Sequence, residues 1–219
     1  MADKLQRELS NRHIQLIAIG GAIGTGLFLG AGASIHLAGP SILLTYIIVG
    51  FILFMFMRAM GELLLSNLGF KSFGDIAHHH IGSMAGFMVG WTYWLTWIIS
   101  GMAEVTAVAK YVDFWYPDMP NWITAAATIL VLVALNLFSA KLFGELEFWL
   151  SIIKVITILA LIIVGIVMVI FAMKTDYGPA TVTNIWKEGG FFPNGASGFF
   201  MSFQMAIFSF IGIELIGIT

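Results

Sequence analysis

Cysteine is absent from this chain, and charge is scarce: only 10% of its 219 residues are Asp, Glu, Lys or Arg. Without thiols there is no disulfide framework and no thiolate metal site. A soluble domain carries roughly 25% charged residues, so the shortage of charge excludes an ordinary water-soluble domain. The 10 Lys and Arg residues form no basic patch, which removes the electrostatic footprint of nucleic-acid binding. What fills the space is apolar: 59% of the residues are hydrophobic and the mean hydropathy is +0.95. This composition specifies an integral membrane protein, and its several apolar runs make it an all-α polytopic one.

Six apolar runs carry the surplus, at about residues 14–37, 41–65, 84–112, 122–138, 148–173 and 196–219. A membrane helix needs roughly 20 apolar residues, and each run meets or approaches that. Residues 1–13 are a polar N-terminal segment. Ala31, Gly32 and Ala33 imitate a signal-peptidase site, but the run before them is long for a signal peptide and more runs follow, so it is read as a retained span. Lys4, Arg7, Arg12, Arg58, Lys71, Lys141 and Lys154 fall on one side, and Lys110, Lys174 and Lys187 on the other. The positive-inside rule then predicts a cytoplasmic N-terminus. The connector 113–121, with Trp115 and Tyr116, lies outside; residues 67–82 lie inside as a short surface or re-entrant helix. The last run stops at Thr219 without a polar tail. Unpartnered carbonyls in lipid are costly, so the chain is expected to be the front part of a longer protein.

The first run contains IGGAIGTGLFL at residues 19–29. Glycines at this density are expensive inside a helix. The pattern from Gly21 to Gly26 has no Lys and Ser or Thr after it, which excludes a phosphate-binding loop, and no third glycine completes a dinucleotide fingerprint. Two readings remain. The glycines allow close helix packing through small-xxx-small pairs. Alternatively the helix unwinds here, and the outer half begins near Thr25 and Gly26 with free N–H groups that attract a carboxylate.

Few charged residues lie within the runs. Glu214 follows Gly212 in the last run; it is either part of a second break, where carbonyls of Phe208 to Ile211 meet a cation, or a solvated end of a shorter span. Glu104 faces a cavity or is buried with a hydrogen-bond partner. Lys154 either snorkels or places a positive charge beside the broken first helix, where a buried lysine can exchange a proton. Lys110 snorkels, and Arg58 with Glu62 forms an i,i+4 pair. His78, His79 and His80 point in different directions on a helix and suggest a solvated loop, not a metal site. Trp91, Trp94 and Trp97 read as packed or lipid-facing aromatics, and Gly82, Gly86 and Gly90 as a close-packing stripe. No ring of like charge suggests a channel. His13 and His36 sit at run ends, and no nucleophile–base pair suggests an enzyme. No metal or cofactor is expected.

Several segments resemble the amino acid transporter branch of the amino acid–polyamine–organocation superfamily. They are residues 11–28 (NRHIQLIAIGGAIGTGLF), 58–67 (RAMGELLLSN), 90–94 (GWTYW), 101–107 (GMAEVTA), 141–149 (KLFGELEFW) and 207–219 (IFSFIGIELIGIT). The resemblance implies a fold of two inverted five-helix repeats with the first and sixth helices broken; this chain would supply the first repeat and the start of helix six. It implies proton-coupled uptake of small neutral amino acids at the plasma membrane. The substrate-binding positions carried over are Ile23, Gly24, Thr25, Gly26, Phe208, Ser209, Phe210 and Ile211. Those linked to protons are Lys154, Glu104 and Glu214. Glu104 stands where the resemblance leads one to expect aspartate, and Ser209 where it leads one to expect alanine. The implied partners are a small amino acid, protons, the bilayer and a missing C-terminal half. A non-transporting fragment and a permease for another amino acid class are the alternatives.

Overall fold

The computed structural model describes residues 19–21, 23–67, 69–137, 140–176, 178–187 and 189–214. The start of the first run and the N-terminal segment, with Lys4, Arg7, Arg12 and His13, lie outside them. A short helical stretch at 19–21 is followed by α1 (Thr25–Phe28), α2 (Gly30–Ala38) and a 3-10 turn at Gly39–Ser41. Then come α3 (Ile42–Ser66), α4 (Phe73–His80), α5 (Ser83–Trp115), α6 (Asn121–Asn136) and α7 (Ala140–Ile170). A two-stranded hairpin, β1 (Lys174–Thr175) against β2 (Gly178–Pro179), precedes α8 (Asn184–Lys187) and α9 (Gly195–Ser209).

Among the described residues, two helical stretches, Gly30–Ser66 and Gly144–Ile170, are both long and apolar enough to cross a bilayer. Helix α5 is the longest at 33 residues, but Gly, Trp, Tyr and Thr dilute its aliphatic content. Helix α7 begins well before the apolar run at 148–173. Its first turns carry Lys141, Glu145 and Glu147, so hydropathy alone places its start too late.

The residues divide into two compact units. The first comprises residues up to Leu53 together with Gly144–Ile213; the second comprises Phe54–Phe143 with Glu214. In the first unit, α9 runs antiparallel to α2, with Met205 packed on Gly30 at one end and Gly198 under the Leu37 carbonyl at the other. The largest fully buried side chains are Thr45, Ser34, Ser41, Ser151 and Ser202, while Leu43, Ile47, Ile153, Leu161 and Ile163 are exposed. A water-soluble core is built the other way round. Lipid is as apolar as leucine and gives no drive to bury it, so membrane helices associate through small residues and hydroxyls. The Thr45 Oγ1 to Ser202 Oγ hydrogen bond of 2.8 Å joins α3 to α9 in this way.

In the second unit, α4 is the short helix expected within 67–82. It starts because Ser72 caps it: the Asp75 N–H donates to Ser72 Oγ at 3.1 Å, and Asp75 Oδ2 accepts from the Lys71 N–H at 3.0 Å. Helix α4 packs against α5, with His78 over Gly86. Phe70 and the rings of His79 and His80 form an aromatic cluster, His79 and His80 lying edge-on at 4.9 Å. Trp91 and Trp94 stack edge-on at 5.3 Å, and Tyr93 meets Trp97 at 6.0 Å. Arg58 and Glu62 pair at 3.5 Å with both side chains mostly exposed, a geometry that contributes about 0.3–0.5 kcal/mol. Replacing the cap, Ser72→Ala, is expected to cost about 1 kcal/mol. Faster amide exchange confined to residues 73–80 in detergent is the measurement that checks it.

Candidate functional site

The first helix stops and restarts. Residues 19–21 are helical, Ile23 and Gly24 are not, and α1 begins at Thr25. Gly24 is extended, with φ −128° and ψ −162°. The Ile23 N–H closes the first half by donating to Gly20 O at 3.2 Å. The Gly24 carbonyl opens the second half, accepting from the Leu27 and Phe28 N–H groups, each at 3.2 Å. A second interruption lies at the end of α9. There the Phe210, Ile211 and Ile213 N–H groups donate to the carbonyls of Ile207, Phe208 and Phe210 at 3.1, 3.2 and 3.3 Å. These three-residue closures replace the four-residue ladder. Gly212 follows with φ +102°, a conformation that an L side chain rarely adopts.

The two interruptions meet. A Cβ on Gly26 would lie 2.6 Å from Ser209 Cα and 2.8 Å from Ser209 N. The backbone of α1 therefore rests directly on the backbone of the last residue of α9. A Cβ on Gly212 would come within 2.9 Å of the Gly21 carbonyl oxygen, so the far sides of the two breaks also touch. Thr25, Gly26 and Ser209 are buried at this contact. Close packing and unwinding, set out as alternatives for the glycine cluster, are both present: Gly24 sits in the break, and Gly26 makes the contact.

Lys154 reaches the same place from α7. Its Nζ donates to Gly20 O at 3.0 Å, and Ser151, buried one turn earlier, packs on Gly20. Gly20 lies in the short helical stretch 19–21 just before the break, and a charge-assisted hydrogen bond of this kind contributes about 1.5–3 kcal/mol.

The structure thus brings together Ile23, Gly24, Thr25, Gly26, Phe208, Ser209, Phe210, Ile211 and Lys154. Glu104, exposed on α5 and so not buried as the sequence reading expected, and Glu214, just past the second break, fall in the second unit. Two neighbours escaped the sequence reading. Tyr46 on α3 pairs its hydroxyl with Ser209 Oγ at 3.0 Å and sets its ring against Phe210; Ser151 holds α7 to the first half-helix. A hydroxyl inside an apolar run was the available signal for both, since such groups need partners away from water. Chemically, the restarted helix presents the positive end of its dipole, and the end of α9 presents carbonyls. The Phe208 and Phe210 oxygens accept turn hydrogen bonds from the Ile211 and Ile213 N–H groups.

An amino acid permease family model matches residues 13–219. The chain belongs to the amino acid permease family. It is 57% identical over 215 residues to an uncharacterized transporter, YdgF, of Bacillus subtilis strain 168, covering 98% of this chain and 47% of that protein. It is 55% identical over 216 residues to the D-serine/D-alanine/glycine transporter of Escherichia coli K12, covering 98% and 46%. It is 50% identical over 218 residues to the aromatic amino acid transport protein AroP of the same strain, covering 99% and 47%. The chain therefore spans about half the length of the curated relatives it matches. No solved structure matches it. The family consists of membrane transporters, not enzymes, and the apolar, hydroxyl-cored helices of this permease chain accord with that membership.

Proposed function

We propose that the chain forms the N-terminal half of a proton-coupled permease that imports small neutral amino acids across the plasma membrane: glycine, and alanine and serine in either the L or the D form. In this reading the N-terminus is cytoplasmic, and the missing half repeats the five-helix unit in inverted topology. The observation that carries the proposal is the meeting of two broken helices at Gly26 and Ser209. A zwitterion needs donors for its carboxylate and acceptors for its ammonium a few ångströms apart. The backbone around Ile23, Gly24, Thr25 and Gly26 supplies the first, and the carbonyls from Phe208 to Ile211 the second. Because peptide groups do this work, every α-amino acid is recognised in the same way and the side-chain pocket alone sets the class. Lys154 then acts as the fixed or exchangeable positive charge behind the first break, with Glu104 and Glu214 as candidate proton carriers.

The identity to the D-serine/D-alanine/glycine transporter favours small substrates, and the identity to AroP keeps an aromatic class as the second reading. Uptake of labelled glycine by the complete permease in cells decides both points. A protonophore is expected to abolish accumulation, sodium removal to leave it intact, and excess D-alanine to compete where phenylalanine does not. Accumulation that persists without a proton gradient but requires sodium refutes the coupling; competition by phenylalanine alone moves the substrate class to the aromatic one.

A further inference from the structure

One hydroxyl pair ties the second helix break to a continuous helix. Ser209 Oγ donates to the Met205 carbonyl at 2.8 Å and lies 3.0 Å from Tyr46 Oη. A serine hydroxyl has a single proton. That proton is spent on Met205, so Tyr46 is the donor and Ser209 the acceptor. The tyrosine ring is held as well: its centroid is 6.0 Å from that of Phe210, at 51°. Thr45, the preceding residue on α3, is bound to Ser202 two turns earlier on α9. Helix α3 therefore holds α9 at two levels, and the upper hold falls on the last helical residue before the break.

That residue is also the one whose backbone supports Gly26. Any shift of Ser209 moves the surface on which α1 restarts, and with it the spacing between the two sets of peptide groups. We infer that Tyr46 is a positioning residue for substrate affinity: acting through Ser209, its hydroxyl sets where α9 stops and hence the separation of the carboxylate and ammonium seats. The inference rests on the two-break binding site proposed above. Tyr46 is partly buried on an uninterrupted helix, so it is a fixed point against which a broken helix can be registered. A phenylalanine at 46 keeps the contact with Phe210 and removes only the donor.

The test is glycine uptake by the complete permease and its Tyr46→Phe, Ser209→Ala and doubly substituted variants, with surface expression measured for each. Tyr46→Phe is expected to raise KM about three- to tenfold at unchanged Vmax per transporter, the effect of one lost net hydrogen bond. Ser209→Ala is expected to raise it by a similar factor, and the double variant no further, because the two act as one element. Additive KM effects, or a KM unchanged by Tyr46→Phe while wild type transports glycine, overturn the inference and leave the binding site standing. Loss of expression without a KM change assigns the pair a purely structural role and overturns it too. Absence of saturable amino acid uptake by wild type is a failure of the proposed function itself. Gly32→Ala, a change on the open face of α2 where a Cβ meets nothing within 4 Å, serves as the reference for expression.

Discussion

Gly26→Ala is expected to reduce saturable glycine uptake by the complete permease to background, although only one methyl is added. The methyl has nowhere to go. Its carbon would sit 2.6 Å from Ser209 Cα and 2.8 Å from Ser209 N, with Phe208 C at 3.0 Å. All three are main-chain atoms, which cannot rotate aside as a side chain can. The helices must separate instead, and overpacking of a tight contact costs about 1–3 kcal/mol. Displacement of recognition groups by about 1 Å is enough to lose two orders of magnitude where function depends on geometry. Gly26→Leu extends the obstruction into the seat proposed between the breaks. The comparison that gives the result meaning is Gly32→Ala. Away from the contact, exchanging helical glycine for alanine gains up to about 1 kcal/mol of helix propensity, so that variant is expected to express and transport as wild type does. Both variants are checked by initial-rate uptake normalised to surface protein. Normal affinity in Gly26→Ala would mean that the two breaks are not in contact when substrate binds.

The sequence made the breaks legible, but not their partnership. Glycines at 20, 21, 24 and 26 inside an apolar run announce a weak point, because each removes helix propensity where water cannot compensate. Gly212 beside Glu214 announces another. Nothing in either segment says that one faces the other. The hydrogen bond from Lys154 to Gly20 closes a separation of 134 residues, and no periodicity encodes such a distance; a lysine inside an apolar run marked the residue, while its partner stayed hidden. Tyr46 was passed over for a related reason. A tyrosine in an apolar run is ordinary at membrane interfaces, and its importance comes from the serine it meets across 163 residues. The early start of α7 shows a different limit. Hydropathy locates the part of a helix that suits lipid, while Glu145 and Glu147 are helix formers that continue the same helix outside that part.

Lys154→Met is expected to lower the steady-state accumulation of glycine by about 10- to 100-fold, the factor corresponding to one charge-assisted hydrogen bond. Methionine keeps the unbranched stem and apolar contacts, so the loss is confined to the charge and to the donor on Gly20 O. Two consequences follow from that one atom. The Gly20 carbonyl loses its charged donor, which loosens the backbone at the break. The cycle proposed above also loses the lysine as its exchangeable charge. Lys154→Arg separates them. A guanidinium can still donate to the Gly20 carbonyl but does not release its proton at physiological pH. Lys154→Arg is therefore expected to retain counterflow, in which internal substrate exchanges for external without a proton gradient, while failing to accumulate substrate against its gradient. Lys154→Met is expected to lose both. Measuring counterflow and accumulation in the same vesicles distinguishes the roles: if arginine restores accumulation, the lysine is a structural clamp on the broken helix and protons are carried by Glu104, Glu214 or groups in the other half.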